Sequence, residues 1–198
     1  PEVILKGRTE LSEDEKQRLG LPVFVKPARG GSSIGVSKVS TWEEFPAAVD
    51  LALEDDEKIL VEPEIVGQEV EIGVLHYADG TLLASVPALL AGIDDSDEGF
   101  YGFDTKYLDN VVTAEIPAPF APELTEKLRG MAIRAFEALN CEGLSRVDFF
   151  VTEDSVYINE INTLPGFTPI SMYPQVLAAS GVEYPALLEA LIEQALAK

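Results

Sequence analysis

Apolar and polar positions alternate with a period of two over several short stretches, the signature of half-buried strands. Leu21–Lys26 (LPVFVK), Val36–Val39 and Lys58–Glu62 read as strands, as does Glu69–His76 with Val70, Ile72 and Val74 on one side. Thr81–Pro87 is extended as well. Arg146–Val151 and Val156–Ile161 form two more strands, joined by Thr152-Glu153-Asp154-Ser155. A period near 3.6 marks Glu123–Leu139 as an amphipathic helix with Leu124, Leu128, Met131, Ala135 and Leu139 on its stripe. Ser12 with Glu15 is a capping box for a short helix that Gly20 stops. Thr41 with Glu44 predicts another, opening a helix to about Leu53, in which Pro46 falls late for a first turn and predicts a kink. Pro174–Ala179 and Tyr184–Ala197 complete the helices. The elements lack a strict βαβ rhythm, which predicts an α+β fold with largely antiparallel sheets.

The 198 residues suffice for a buried core without staples. No apolar run approaches the ~20 residues of a membrane span. One cysteine, Cys141, excludes a disulfide framework, and one histidine, His76, excludes a multi-histidine metal site. A metal would therefore sit on oxygens, which favours Mg²⁺, Mn²⁺ or Ca²⁺. The formal charge of −21 argues against nucleic acid and anionic membranes as partners. It also makes Lys26, Lys106 and Arg146 conspicuous. The acidic runs Glu54–Glu57 and Asp94–Glu98 read as solvated loops, the second within a glycine-flanked excursion. A start at Pro1, with neither Met nor a signal-peptide pattern, reads as a cut from a longer protein.

Four stretches carry candidate chemistry. In the hairpin near Asp148, Arg146, Asp148 and Phe150 share one side of their strand, and Val156, Ile158, Glu160 and Asn162 are expected to share one side of the partner. An odd loop length, for example Glu153–Ser155, would set Asp148 opposite Glu160 and Arg146 opposite Asn162. Opposed carboxylates repel, and a divalent cation on oxygen ligands reverses that sign. A solvated strand end is the plainer account of the same letters. Next, Lys26 ends an apolar strand and is followed by Ala28–Gly35 (ARGGSSIG). Glycines there let backbone N–H groups approach phosphates, although a flexible hairpin tip explains the loop equally well. Third, Pro63 breaks the strand after Glu62, leaving a carboxylate and exposed backbone that could read an adenine edge, or a simple crossover. Fourth, Pro165-Gly166 follows Asn162 closely; its glycine N–H could serve as an oxyanion donor, or the pair could merely form a turn.

Val25-Lys26-Pro27 with Gly31–Gly35, Lys106-Tyr107, Arg146–Phe150, and Asn159–Thr168 with Ser171-Met172-Tyr173-Pro174, in this order and spacing, resemble the D-alanine–D-alanine ligases of the ATP-grasp superfamily. The resemblance runs from about Leu21 to the C-terminus. It implies two α+β lobes holding a nucleotide between them, residues 1–69 being most of the central lobe and 70–198 the C-terminal lobe. It implies Lys26 on the ATP phosphates, Gly31, Ser32 and Ser33 in the loop that closes over them, Glu62 on adenine and Glu69 on the ribose. Asp148, Glu160 and Asn162 would hold two Mg²⁺ or Mn²⁺ ions, with Glu160 bridging. Lys106 would reach the transferred phosphate from the stretch 92–110. Arg146 and the Gly166 N–H would stabilise the oxyanion, Ser171 and Met172 would hold the carboxylate of the second D-alanine, and Ser32 and Tyr107 would position the amino acids.

The implied activity is ATP-dependent joining of two D-alanines through an acyl phosphate, for peptidoglycan precursors in the cytoplasm, by a protein that is commonly a homodimer when intact. Tyr107 fits dipeptide-forming members better than those that make an ester with lactate. Two other readings stay open, a D-alanine–D-lactate type ligase and a non-catalytic nucleotide-binding module. Intact members carry a further N-terminal lobe of about a hundred residues that helps bind the first D-alanine, and Ala88–Gly92 lacks their usual Gly-Glu-Ile. The expectation is that these 198 residues bind Mg-ATP weakly with little or no turnover.

Overall fold

The computed structural model describes residues 2–31, 33–91, 113–168 and 170–197. The described residues fall into two compact units that part between Ile65 and Val66. Every strand pairing among them is antiparallel. The fold is α+β, as the mixed periodicities predict.

The first unit contains β1 (Val3–Lys6), α1 (Glu13–Leu19), β2 (Val23–Pro27), β3 (Ser37–Val39), α2 (Phe45–Leu53) and β4 (Lys58–Pro63). Its four strands lie in the order β1-β4-β2-β3. Val3, Leu5, Val23, Val25, Ile59 and Val61 point to one side and pack with Phe45, Val49 and Ala52 of α2. The alternate residues Phe24, Lys26, Leu60 and Glu62 stand on the other side and are half-buried. The edge strand β1 was not among the predicted elements, although Val3 and Leu5 do alternate with Ile4 and Lys6.

Two local expectations behave differently. The Ser12–Glu15 capping box forms in full. The Thr41–Glu44 box does not: α2 starts at Phe45, the Glu44 carboxylate accepts from the Ser40 and Thr41 backbone N–H groups, and the Glu44 N–H donates to the Thr41 carbonyl instead of its hydroxyl. Pro46 therefore falls in the first turn and kinks nothing, because its missing N–H needs no helical acceptor there.

The second unit contains β5 (Gln68–His76), β6 (Leu82–Ala84), β7 (Ala88–Ala91), β8 (Thr113–Glu115), α3 (Pro122–Ala138), β9 (Leu144–Val151), β10 (Val156–Asn162), α4 (Met172–Ala179) and α5 (Tyr184–Leu196). The sheet runs β10-β9-β5-β7-β8, with β6 paired to β5. One face, with Val70, Ile72, Val74, Val147, Phe149 and Val151, packs against Leu128, Ala132 and Phe136 of α3. One end of the other face, around Leu75 and Ala88, is covered by Tyr173, Val176 and Leu177 of α4 and Leu187 of α5. The Tyr173 hydroxyl donates to the Val74 carbonyl (3.1 Å) and ties α4 to β5. Gly73 is small because α4 demands it: a Cβ there would lie 2.5 Å from Leu177 Cδ2 and 3.1 Å from the Tyr173 ring. The rest of that second face is left polar.

The β9–β10 hairpin departs from the expected construction. Its loop is Thr152–Ser155, an even number of residues, so Val156 pairs with Val151 and Ile158 with Phe149. A bulge between Ile158 and Glu160 then shifts the register by one, setting Glu160 opposite Asp148 and Asn162 opposite Arg146. Val156 and Ile158 therefore do not share a side with Glu160 and Asn162. The expected pairing is reached by a different route, because an extra residue re-aims the strand where the loop does not.

Candidate functional site

Registers across β5, β9 and β10 place side chains of the polar face in rows. Glu69, Phe150 and Tyr157 form one, Glu71, Asp148 and Glu160 the next, and Gly73, Arg146 and Asn162 the third. Asn162 Nδ2 donates to Asp148 Oδ2 (2.9 Å) and, more weakly, to Glu160 Oε1 (3.4 Å). The Arg146 guanidinium grips Asp148 with both arms, Nε to Oδ1 at 2.7 Å and its terminal nitrogen to Oδ2 at 2.6 Å. Arg146 Nε also lies 3.2 Å from Glu71 Oε2. Four of the predicted residues thus converge on one patch.

The donor set suits a hard divalent cation. Two carboxylates and an amide stand side by side in place of thiolates or imidazoles, and each has an oxygen to offer. The amide currently turns its NH₂ toward the acids, and a half-turn would present its oxygen instead. Among the described residues no three Asp, Glu, His or Cys side chains form a closed cage. Two protein carboxylates with positions left over is the arrangement expected where phosphate oxygens complete the shell.

Glu71 was not singled out from the sequence. It sits on β5 between Val70 and Ile72 and is 3% exposed. Its alternation reads as the wet side of a half-buried strand. The signal that could have flagged it is Gly73 and Leu75 at the next positions on the same face, which are too apolar for a solvated side.

The first unit supplies a second group. Lys26 Nζ and Glu62 Oε2 form an ion pair of 2.5 Å on the half-buried side of β2 and β4. Lys26, expected on phosphate, and Glu62, expected on adenine, are paired with each other. A partly exposed pair is worth at most about 1 kcal/mol, so a polyphosphate can displace it at small cost. Beyond it, Lys38 pairs with Glu64.

The loop after β2 is anchored at its base by Asp56. This carboxylate accepts from the Arg29 N–H (2.9 Å), from the Arg29 guanidinium (2.8 and 3.1 Å) and from the Lys58 N–H (3.1 Å). The guanidinium, followed by the Lys58 amide, holds it well below the usual carboxylate range. Asp56 therefore corrects the expectation of a solvated acidic run, since its side chain is 2% exposed. Ser33 and Gly35 have φ of 57° and 71°. Gly35 is required twice over, because a Cβ would also meet Asp55 Oδ2 at 2.6 Å. Gly31 lies in this loop with open space around it.

Beyond Asn162 the chain is pinned by Phe167, whose ring packs against Tyr173 and Tyr184. Gly166 lies tight under Ser171, where a Cβ would be 2.9 Å from the hydroxyl oxygen. Ser171 Oγ accepts from the Thr168 N–H (3.0 Å) and lies 2.8 Å from Thr168 Oγ1. It is the N-cap of α4, and Met172 opens the helix. The Met172 side chain packs into the helical cluster, which leaves its first-turn N–H as the polar group it presents. Glu69 is half-buried beside Phe150. Ser32, Lys106, Tyr107, the stretch 92–110 and the run Asp94–Glu98 lie outside the described residues. No helix among the described residues is long and apolar enough to cross a membrane.

The family model described as "D-ala D-ala ligase C-terminus" matches residues 2–193. A curated relative, the D-alanine–D-alanine ligase of Corynebacterium efficiens, is 66% identical over 195 residues, 98% of this chain and 54% of that protein. The solved D-alanine–D-alanine ligase of Coxiella burnetii is 36% identical with a TM-score of 0.82, over 99% of this chain and 51% of that one. A Bacillus anthracis D-alanine–D-alanine ligase, solved in complex with ATP, is 26% identical with a TM-score of 0.78, over 99% of this chain and 60% of its own. The chain spans about half the length of the curated relatives it matches.

Proposed function

The chain belongs to the D-alanine–D-alanine ligase family, whose fold is ATP-grasp, and from that membership we propose that the protein carrying it joins two D-alanines at the expense of ATP. The observation that carries this reading is the meeting of Asp148, Glu160 and Asn162 with Arg146 on one sheet face. The two units are proposed to be the central and C-terminal lobes.

A carboxylate is a poor acyl donor. One oxygen of the first D-alanine takes the terminal phosphoryl group of ATP, ADP leaves, and an acyl phosphate remains. The amine of the second D-alanine then attacks that carbonyl, phosphate departs, and a proton is lost from the nitrogen. Asp148, Glu160 and Asn162 would hold Mg²⁺ or Mn²⁺, which when bound offsets the charge of the phosphoryl oxygens. Lys26, released from Glu62, binds phosphate oxygens. Glu62 and Glu69 accept from adenine and ribose. The loop containing Gly31, Ser32 and Ser33 offers N–H and hydroxyl donors to the phosphates and excludes water that would hydrolyse the acyl phosphate. Arg146 and the Gly166 N–H stabilise the oxyanion when the amine attacks. Ser171 and the first N–H groups of α4 receive the carboxylate of the acceptor. ATP and D-alanine are both drawn from the cytoplasm.

The test is phosphate release by the whole protein with ATP and Mg²⁺, comparing D-alanine with D-lactate as acceptor. D-alanine alone should release phosphate and yield the dipeptide. Release only with D-lactate would overturn the dipeptide assignment, and ATP binding without release under any acceptor would reduce the site to a nucleotide-binding module.

A further inference from the structure

We infer that Glu71 is a positioning residue that keeps the Arg146 guanidinium in place when Asp148 turns to a metal ion; this rests on the ligase reading above. Asp148 is already fully engaged. Both of its oxygens are taken, Oδ1 by Arg146 Nε and Oδ2 by the Arg146 terminal nitrogen and Asn162 Nδ2. A cation on Asp148 takes lone pairs that now receive the Arg146 fork. With that grip loosened, the guanidinium would be free to swing away from the place where the oxyanion forms, and its value depends on being fixed beforehand.

Glu71 answers this demand from the neighbouring strand. It pairs directly with Asp148, on the side away from Glu160, and its Oε2 lies 3.2 Å from Arg146 Nε. Its side chain is 4% exposed against 16% for Arg146, so it reaches the reaction only through Arg146. A third carboxylate in the row Glu71–Asp148–Glu160 is unfavourable by simple repulsion, and buried charge adds to the penalty. Such a residue is tolerated where a cation stands beside it. Packing of α4 completes the socket: Gly73, directly opposite Arg146, has no side chain, and Leu177 and Tyr173 close over its Cα. Arg146 thus lies beside a strand position stripped of its side chain and has in Glu71 a second carboxylate at ion-pair distance, within reach of the Nε–H that Asp148 now receives.

The experiment is a double-mutant cycle on the whole protein, with Glu71→Gln, which keeps shape and removes charge, Arg146→Ala, and the pair. Glu71→Gln alone should lower kcat on the order of tenfold while leaving the KM for ATP within about twofold. In the Arg146→Ala background the same substitution should change kcat less than about twofold, since Glu71 acts through the missing group. An equal loss in both backgrounds, or no loss in the first, overturns the proposal. A second measurement needs no substitution. The ¹⁵N signal of Arg146 Nε–H should stay protected from solvent exchange as Mg²⁺ and ATP are added, and its loss of protection would contradict the role. Absence of D-alanine-dependent phosphate release by the unsubstituted protein would overturn the ligase reading instead, and the exchange measurement would still judge Glu71.

Discussion

Glu160 stands opposite Asp148 because Asn159 drops out of the β9–β10 pairing. Ahead of the bulge, Ile158 pairs with Phe149; after it, Ile161 pairs with Val147 and packs into the α3 core. Were Asn159 paired in a regular ladder, it would take the place opposite Asp148 and Glu160 would fall opposite Val147 on the core face; looped out, it leaves Glu160 on the polar face. The bulge re-aims Glu160 and Asn162, the two β10 side chains proposed as metal ligands.

Deleting Asn159 should remove the bulge without moving the candidate site. Ile158 would still pair with Phe149, and Glu160 and Asn162 would follow in a regular ladder opposite Asp148 and Arg146. The expected result is that magnesium-dependent ATP binding is retained. Loss of that response would show that the bulge sets more than the register.

Arg146→Ala should act on the transition state. Losing a preorganised oxyanion donor lowers kcat about 10²–10³-fold, or roughly 3–4 kcal/mol. Steady-state kinetics on the whole protein checks this, and a loss below tenfold would make the residue structural.

Asp56 governs an acid limb of stability. Its carboxyl lies below its ordinary value because Arg29, and after it the Lys58 N–H, favour the ionised form. A depressed folded-state pKa gives stabilisation that is present above the unfolded value of about 3.9 and is lost as pH falls through the folded one. Asp56→Asn should unfold at lower urea than the parent at pH 7, with the gap narrowing as pH drops below about 4. A gap of constant size would remove Asp56 from the acid response.

Gly73→Ala tests the fit of α4 on β5. The new methyl would meet Leu177 Cδ2 at 2.5 Å, inside van der Waals contact. Overpacking of this kind costs about 1–3 kcal/mol. Thermal unfolding should show the loss; an unchanged melting temperature would mean that α4 shifts freely.

Much of this was legible in the sequence, for identifiable reasons. Arg146, Asp148, Glu160 and Asn162 are polar residues set in apolar strands, and polarity in that setting is visible without coordinates. Their convergence was expected from an odd loop and is delivered by an even loop plus a bulge, because bulges leave no compositional mark. The Thr41–Glu44 box failed where the Ser12–Glu15 box formed, since Pro46 fixes the start of α2 at Phe45. Asp56 looked like solvated acid until the fold brought Arg29 to it across 27 residues. Glu71 stayed hidden for a like reason: period-two alternation marks one face as dry and says nothing of a helix from residues 172–179 covering part of the other.

The most direct test of the central claim is calorimetry of ATP with this chain, with and without Mg²⁺, repeated for Glu160→Gln. The account predicts a magnesium-dependent heat of binding for the parent chain that disappears in the variant, with magnesium-free binding equal in both. Affinity that is indifferent to magnesium in the parent, or a magnesium response that survives Glu160→Gln, would contradict it.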